Sequence, residues 1–65
     1  MSKTPTEIIK MALEREKEAV VDYSEYAKTA SDPKVKEMFR FLAEEEKKHV
    51  KLLQEEIEKE IYQEM

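Results

Sequence analysis

Cysteine, tryptophan and glycine are all absent from this chain of 65 residues, which also contains only two prolines. The absence of cysteine excludes disulfide bonds, thiolate zinc sites and iron–sulfur clusters. It also favours a reducing, cytoplasmic location. With glycine missing, Glu, Lys, Ala and Leu dominate the sequence, and that composition is typical of long helices.

Long apolar stretches and an excess of positive charge are missing too. No run of eighteen apolar residues occurs, and the N-terminal MSKTPTE lacks the apolar core of a signal peptide, so no membrane segment is expected. Sixteen acidic and twelve basic residues give a net charge of −4 with the signs interleaved, which argues against nucleic-acid binding. A chain this short without disulfides usually needs a bound metal or a partner chain.

Two capping signals mark where helices begin. Thr4 can cap a helix whose first residue is Pro5, and Glu7 can complete a capping box with Thr4. The other breaker signal is the segment SDP at positions 31–33. Either its serine or its aspartate can cap a second helix, with the proline just inside it.

The predicted fold is all-α, a single helical hairpin occupying residues 1–65. Helix 1 should span about residues 5–30 and helix 2 about residues 33–62, and so short a connection makes them antiparallel. The apolar side of this hairpin is too wide for one partner helix to cover, so two hairpins should pair into a four-helix bundle. We therefore expect a homodimer or a higher homo-oligomer. The residues that make the face so wide are Phe39, Phe41, Leu42, Leu52 and Leu53.

One acidic residue of helix 1 falls on its apolar side. Apolar residues recur there in alternating steps of four and three, which is the spacing of a heptad seam. Glu16 lies in that seam, whereas the other glutamates of the helix lie away from it. A buried carboxylate without a counter-charge is costly, so Glu16 needs a compensating group. The seam positions are Ile9, Leu13, Glu16, Val20, Tyr23, Ala27 and Ala30.

Helix 2 repeats the anomaly in the stretch EEEKKH, residues 44–49. At ~100° of rotation per residue, Glu46 and His49 straddle the centre of the apolar stripe. Glu45 falls at the edge of the stripe, and the other three residues of the stretch point to solvent. On its own, a Glu-x-x-His pair in a helix this rich in Lys and Glu would indicate only a solvated face. The helix 2 seam is Val35, Phe39, Leu42, Glu46, His49 and Leu53.

The hairpin brings the two anomalies to one level. Glu16 and Glu46 lie fifteen residues before and after Ser31, near the turn. A two-fold axis would add a second Glu16, Glu46 and His49, giving four carboxylates and two imidazoles inside an apolar bundle. Buried carboxylates in that number repel one another unless cations lie among them. Two divalent metals would compensate them, as in di-iron and di-manganese carboxylate bundles.

Two segments resemble the ligand helices of the ferritin-like superfamily, of rubrerythrin type. EREKEAVVDY (14–23) is similar to the first ligand helix, in which a Glu precedes an Ala by three residues and a Tyr by seven. MFRFLAEEEKKHVKLL (38–53) is similar to the second, with its Leu-Ala-x-x-Glu-x-x-His core. Encapsulated ferritins are built from similar single hairpins and form a di-iron site between two subunits. The resemblance thus implies a ferritin-like four-helix bundle made from two copies of this half-ferritin chain.

By that resemblance, Glu16, Glu46 and His49 are iron ligands and catalytic residues, with two irons per dimer. Carboxylates with one imidazole per ion suit iron or manganese, and zinc can substitute. Tyr23 should lie just beyond the ligands as a core aromatic whose hydroxyl reaches a ligand carboxylate. Glu45 is the best spare ligand, since it lies one turn before His49. The expected activity is that of a di-iron oxidoreductase that oxidises Fe(II) with dioxygen or peroxide.

Two alternatives stay open at this point. The hairpin could bind metal without turnover, as a sensor or chaperone. It could also be a purely structural four-helix bundle, because a polar seam residue can specify register in a coiled coil. Three such residues at one level would be an expensive way to specify register, which favours the metal site.

Overall fold

Two long α-helices account for the fold, which is seen here in a computed structural model. The structure describes the backbone of residues 3–64 and the side chains of residues 3–59. Helix α1 runs over Pro5–Thr29 and helix α2 over Pro33–Glu64. The prediction of an all-helical hairpin is confirmed, and the observed helix ends lie within two residues of the expected ones.

The start of α1 is capped as the sequence predicts. Thr4 has an extended backbone, with φ −70° and ψ 158°, and its hydroxyl oxygen accepts a hydrogen bond of 3.2 Å from the backbone N–H of Glu7. Pro5 follows as the first helical residue, where the missing N–H has no intrahelical partner to lose. One of the unpaired N–H groups of the first turn is thereby satisfied.

The start of α2 is capped by an aspartate. The carboxylate of Asp32 accepts a hydrogen bond of 2.8 Å from the backbone N–H of Lys34. Its own backbone carbonyl accepts the N–H of Lys36 at 2.9 Å, the first hydrogen bond of the helix. Of the two capping residues that the sequence allows, the structure therefore uses the aspartate.

A lysine ties the two helices together beside the turn. The Nζ of Lys36 donates to the backbone carbonyl of Ala27 at 3.0 Å and to that of Lys28 at 3.2 Å. These carbonyls belong to the last turn of α1, where the helix itself offers no N–H partner. A cation at this position also interacts favourably with the C-terminal end of the α1 dipole.

The hairpin buries few side chains by itself. Among the described residues, only Leu13, Ala27 and Ala43 are buried, and none of them completely. Near the turn, the rings of Tyr23 and Phe39 stack at 6.0 Å, and Tyr26 meets Phe39 edge-on at 5.3 Å. The molecule measures 50 × 23 × 11 Å, so it is a single layer of two helices with no second layer to enclose a core.

The two sides of this layer differ sharply. Most of the large apolar side chains that stay exposed lie on one side, because their helical phase places them on matching flanks of the antiparallel helices. We call this side the apolar face: Ile8, Met11, Tyr26, Met38, Phe41 and Leu52. The opposite side, the charged face, has a shallow groove lined by Ser24, Ala27, Lys28, Lys36, Arg40, Ala43, Glu44 and Lys47.

No helix in the described part of the chain has an apolar stretch long enough to cross a membrane.

Candidate metal centre

The three predicted ligands come together at mid-height of the hairpin. Glu16 lies in the middle of α1, and Glu46 and His49 lie one turn apart on α2. One ligand atom from each of the three lies within 4.8 Å of the others. Their meeting follows from the turn, since Glu16 and Glu46 are equally far from it along antiparallel helices.

The two distances from His49 to the carboxylates are close to those expected around a shared cation. His49 Nδ1 lies 3.5 Å from Glu16 Oε2 and 3.4 Å from Glu46 Oε2. Ligand atoms about 2.1 Å from a metal ion, at tetrahedral or octahedral angles, are about 3.0–3.4 Å apart. The observed separations are close to that range and are longer than a well-formed hydrogen bond.

Burial is graded across the three ligands. The side chain of Glu46 is 19% exposed and that of Glu16 is 31% exposed, whereas that of His49 is 50% exposed. His49 lies farther out than the seam predicts because it is rotated by ~60° from Glu46, toward the apolar face. The carboxylates therefore form the floor of the group, and the imidazole forms its rim.

An unsatisfied oxygen indicates what this group lacks. Glu16 Oε2 is shielded from solvent and has no hydrogen-bond partner. Among the ion pairs of the described residues, no lysine or arginine pairs with Glu16 or Glu46. The one other oxygen of this kind among the described side chains is Thr6 Oγ1, a neutral hydroxyl near the start of α1. A shielded carboxylate oxygen without a partner is costly, and a bound cation would remove that cost.

The donor set matches a particular class of metal. Each chain offers two carboxylates and one imidazole, and no cysteine is available anywhere in the sequence. Oxygen-rich sites with an imidazole suit iron and manganese, and zinc also binds such ligands. The residues therefore fit a carboxylate-bound iron of the type expected from the sequence.

Tyr23 and Glu45 are near the group without belonging to it. The ring of Tyr23 belongs to the aromatic cluster near the turn, where it also meets Tyr26 edge-on at 6.3 Å. Tyr23 is half-buried there, and its role as a core aromatic whose hydroxyl reaches a ligand carboxylate stays a prediction. Glu45 pairs with Lys48 at 3.1 Å. Its role as a spare ligand also stays a prediction, and would require that exposed ion pair to open.

The stretch EEEKKH divides as its helical phase indicates. Glu44 pairs with Lys47 at 3.0 Å on the exposed side, one turn apart. Glu46 instead faces His49 within the candidate site. Most of the stretch is thus an ordinary charged surface, and Glu46 with His49 is the exception.

One neighbour of the site was missed from the sequence. Arg15 lines a shallow groove together with Glu16, Ile8, Met11 and Ala12, so Glu16 opens onto the apolar face. The available signal was the position of Arg15 directly before Glu16, about 100° from it around the helix. That signal is weak because most residues next to a seam position are simply exposed.

The match to a known protein family agrees with this geometry. The family model for rubrerythrin matches residues 7–65, which is nearly the whole chain. The chain belongs to the rubrerythrin family. Proteins of this family typically bind iron, and the family indicates a di-iron carboxylate protein. The resemblance read from EREKEAVVDY and MFRFLAEEEKKHVKLL is thereby confirmed.

Two curated relatives extend the comparison. The chain is 45% identical over 42 residues to the encapsulin nanocompartment cargo protein EncB of Myxococcus xanthus, an alignment that covers 65% of this chain and 27% of EncB. It is 40% identical over 50 residues to an uncharacterized protein of Archaeoglobus fulgidus. That alignment covers 77% of this chain and 78% of the relative. The chain thus spans about a quarter of EncB. No solved structure gives a significant match.

Proposed function

We propose that this rubrerythrin-family chain is a di-iron oxidoreductase that oxidises Fe(II) with dioxygen or peroxide. The observation that carries the proposal is the shielded Oε2 of Glu16, which has no partner although Glu46 and His49 converge on it. No lysine or arginine of the described residues pairs with this oxygen. Two carboxylates and one imidazole are ligands that iron accepts. Membership in a family that typically binds iron adds support.

The proposed site is shared by two copies of the chain. Three side chains provide fewer ligands than an iron ion usually takes, and the group opens onto the apolar face. A second copy laid on that face would contribute its own Glu16, Glu46 and His49. It would also cover the exposed apolar side chains, which a single-layer hairpin leaves in water. The dimer would then hold two irons between four helices.

In this arrangement, each ligand has a distinct task. Glu16 and Glu46 would supply carboxylate oxygens from the floor of the group, and His49 would supply an imidazole nitrogen at the rim. Two Fe(II) ions held there would supply two electrons and become Fe(III), and solvent would supply the two protons needed to reduce dioxygen to hydrogen peroxide, or hydrogen peroxide to two molecules of water. The apolar face, once covered, excludes bulk water from the ligands and strengthens their charge interactions.

The proposal is tested by titrating the protein anaerobically with Fe(II) and then admitting dioxygen or peroxide. We expect saturation near one iron per chain, followed by consumption of the oxidant and formation of Fe(III). No saturable binding would overturn the metal site. Binding without consumption of either oxidant would leave a metal-binding protein without turnover. Replacing Glu16, Glu46 and His49 together by leucine distinguishes the structural alternative, which expects a more stable dimer and no change in metal content.

A further inference from the structure

We infer that Met11 is a sacrificial reductant, a side chain that consumes the hydrogen peroxide made at the metal centre before the peroxide escapes. This inference rests on the proposed function with dioxygen as the oxidant, because that reaction is the source of the peroxide. In the step itself, the O–O bond of hydrogen peroxide breaks and a sulfur–oxygen bond forms, which leaves methionine sulfoxide and one molecule of water. The thioether sulfur gives up two electrons, so the step needs no other oxidant or reductant.

Met11 shares a groove with one of the proposed ligands. The groove has a volume of about 330 Å³ and is lined by both Met11 and Glu16. Met11 lies five residues before Glu16, which corresponds to about 7.5 Å along the helix. Hydrogen peroxide is a small neutral molecule that a groove of this size admits. Peroxide that leaves the ligands on this side therefore passes Met11 before it reaches the surrounding water.

No other side chain of this groove competes for the peroxide. Thiols and thioethers are the groups that peroxide oxidises most readily, and the chain contains no cysteine. The remaining residues that line the groove carry no sulfur: Lys3, Ile8, Ala12, Arg15 and Glu16. Methionine sulfoxide is reduced back to methionine by dedicated reductases, so oxidation of Met11 would be a reversible loss.

A second methionine of the apolar face provides an internal control. Met38 is 48% exposed and Met11 is 46% exposed, so peroxide from bulk solvent should oxidise the two to similar extents. Met38 lies eight residues before Glu46, or about 12 Å along α2, and does not line the groove that contains Glu16. Peroxide made at the ligands should therefore favour Met11. A second copy on the apolar face would cover both methionines, so the comparison holds for a monomer and for a dimer.

The test loads the chain anaerobically with Fe(II) and then admits one molecule of dioxygen for every two irons. Peptide mass mapping measures the sulfoxide at each methionine separately. We expect about five times more sulfoxide at Met11 than at Met38. The excess should persist when catalase is present, because catalase removes peroxide from bulk solvent and is too large to enter the groove. In the metal-free protein treated with added hydrogen peroxide, the two methionines should be oxidised to within about twofold of each other.

A pair of leucine variants measures the peroxide that escapes. Leucine nearly preserves the volume and the helix propensity of methionine but has no sulfur to oxidise. Met11→Leu should release at least about twice as much free peroxide per iron oxidised as the wild type, with an unchanged yield of Fe(III). Met38→Leu should release as much as the wild type does. A peroxidase-coupled dye measures the peroxide in all three proteins.

The outcomes separate this inference from the proposed function. Equal sulfoxide at Met11 and Met38 in the iron-loaded protein, or an excess at Met11 that catalase abolishes, would overturn the inference. The same excess at Met11 in the metal-free protein would also overturn it, because Met11 would then simply be the more reactive methionine. In each of these cases, formation of Fe(III) would leave the proposed function standing. If no dioxygen were consumed, the proposed function and the inference would fall together.

Discussion

The two faces of the hairpin differ in whether a single chain provides the partners and the cover that their side chains need. On the charged face, Lys47 pairs with Glu44 one turn earlier, and Lys28 pairs with Glu25 in the same way. On the apolar face, large side chains are exposed, and Glu16 keeps a shielded oxygen without a hydrogen-bond partner. The charged face is therefore complete in one chain, whereas the apolar face is complete only with something added from outside.

That difference distinguishes the candidate ligands from ordinary surface residues without any appeal to a motif. The glutamates of EEEKKH have the same chemistry, but Glu44 has its lysine at 3.0 Å and Glu46 has only an imidazole at 3.4 Å. What distinguishes them is the side of the helix on which each lies. Variants on the two faces therefore measure the contrast itself.

The largest expected effect is the loss of Fe(II) affinity when a proposed ligand is replaced, compared with replacement of a nearby glutamate that is not a proposed ligand. Glu46→Ala should weaken Fe(II) binding by more than about 100-fold, because losing a group that merely orients a ligand already costs about 10–100-fold. Glu44→Ala, from the exposed end of the same stretch, should bind as the wild type does. Anaerobic titration of each variant with Fe(II), followed by isothermal calorimetry, measures its affinity. Equal affinity in the two would remove Glu46 from the site.

The next effect compares two exposed apolar residues on opposite faces. Phe41 and Val21 are 62% and 60% exposed. Phe41→Glu should dissociate the dimer, because it places a charge in the surface that a second copy is proposed to cover. Val21→Glu should leave the native mass unchanged. Size-exclusion chromatography with light scattering measures the result, and a dimer that tolerates Phe41→Glu would show that this face is not the interface.

A smaller effect is expected when the unsatisfied oxygen is neutralised. Glu16→Gln should stabilise the metal-free protein by about 1–3 kcal/mol, since it removes the negative charge of a carboxylate whose shielded oxygen accepts no hydrogen bond. The same variant should gain less stability from added Mn(II) than the wild type gains, because it lacks one anionic ligand. Thermal unfolding with and without the ion measures both quantities. An unchanged metal-free midpoint would mean that Glu16 is already compensated within the hairpin.

Much of this contrast could be predicted from the sequence because it depends on helical phase and on distance from the turn. The steps of four and three placed Glu16 in a seam, and the position of the SDP segment placed Glu46 opposite it. Both arguments need only a straight helix and a short connection. They therefore predicted which residues meet without any knowledge of side-chain conformation.

The remaining features depend on side-chain reach and on what covers each position, which membership of the seam does not determine. The bond from Lys36 to the carbonyls of α1 needs a long side chain folded back over the turn, and nothing in the spacing indicates it. His49 was expected to point inward, and half of its side chain is exposed. Val35, which lies in the helix 2 seam, is also exposed, because α1 ends at Thr29 and covers little of α2 near the turn.

The next prediction concerns Lys36, on the charged face. Lys36→Met keeps the length of the side chain but removes the donor to two carbonyls of α1. We expect a loss of about 1–2 kcal/mol in the free energy of unfolding, because carbonyls in the last turn of α1 lose a charged donor. Lys47→Met, which breaks only an exposed pair with Glu44, is the matched control. Denaturant unfolding measures both, and equal losses would show that Lys36 is no more than a surface charge.

The smallest effect is expected for the ion pairs of the charged face. Glu25 lies 3.6 Å from Lys28, and the side chains of both are more than half exposed. Such a pair contributes little because water screens it and both long side chains must be ordered to form it. Glu25→Ala should therefore change the free energy of unfolding by less than about 0.5 kcal/mol, with the higher helix propensity of alanine offsetting part of the loss. Its iron affinity should equal that of the wild type. A loss above about 1 kcal/mol, or a change in iron affinity, would mean that the charged face also contributes to the assembled protein, and the contrast between the two faces would have to be abandoned.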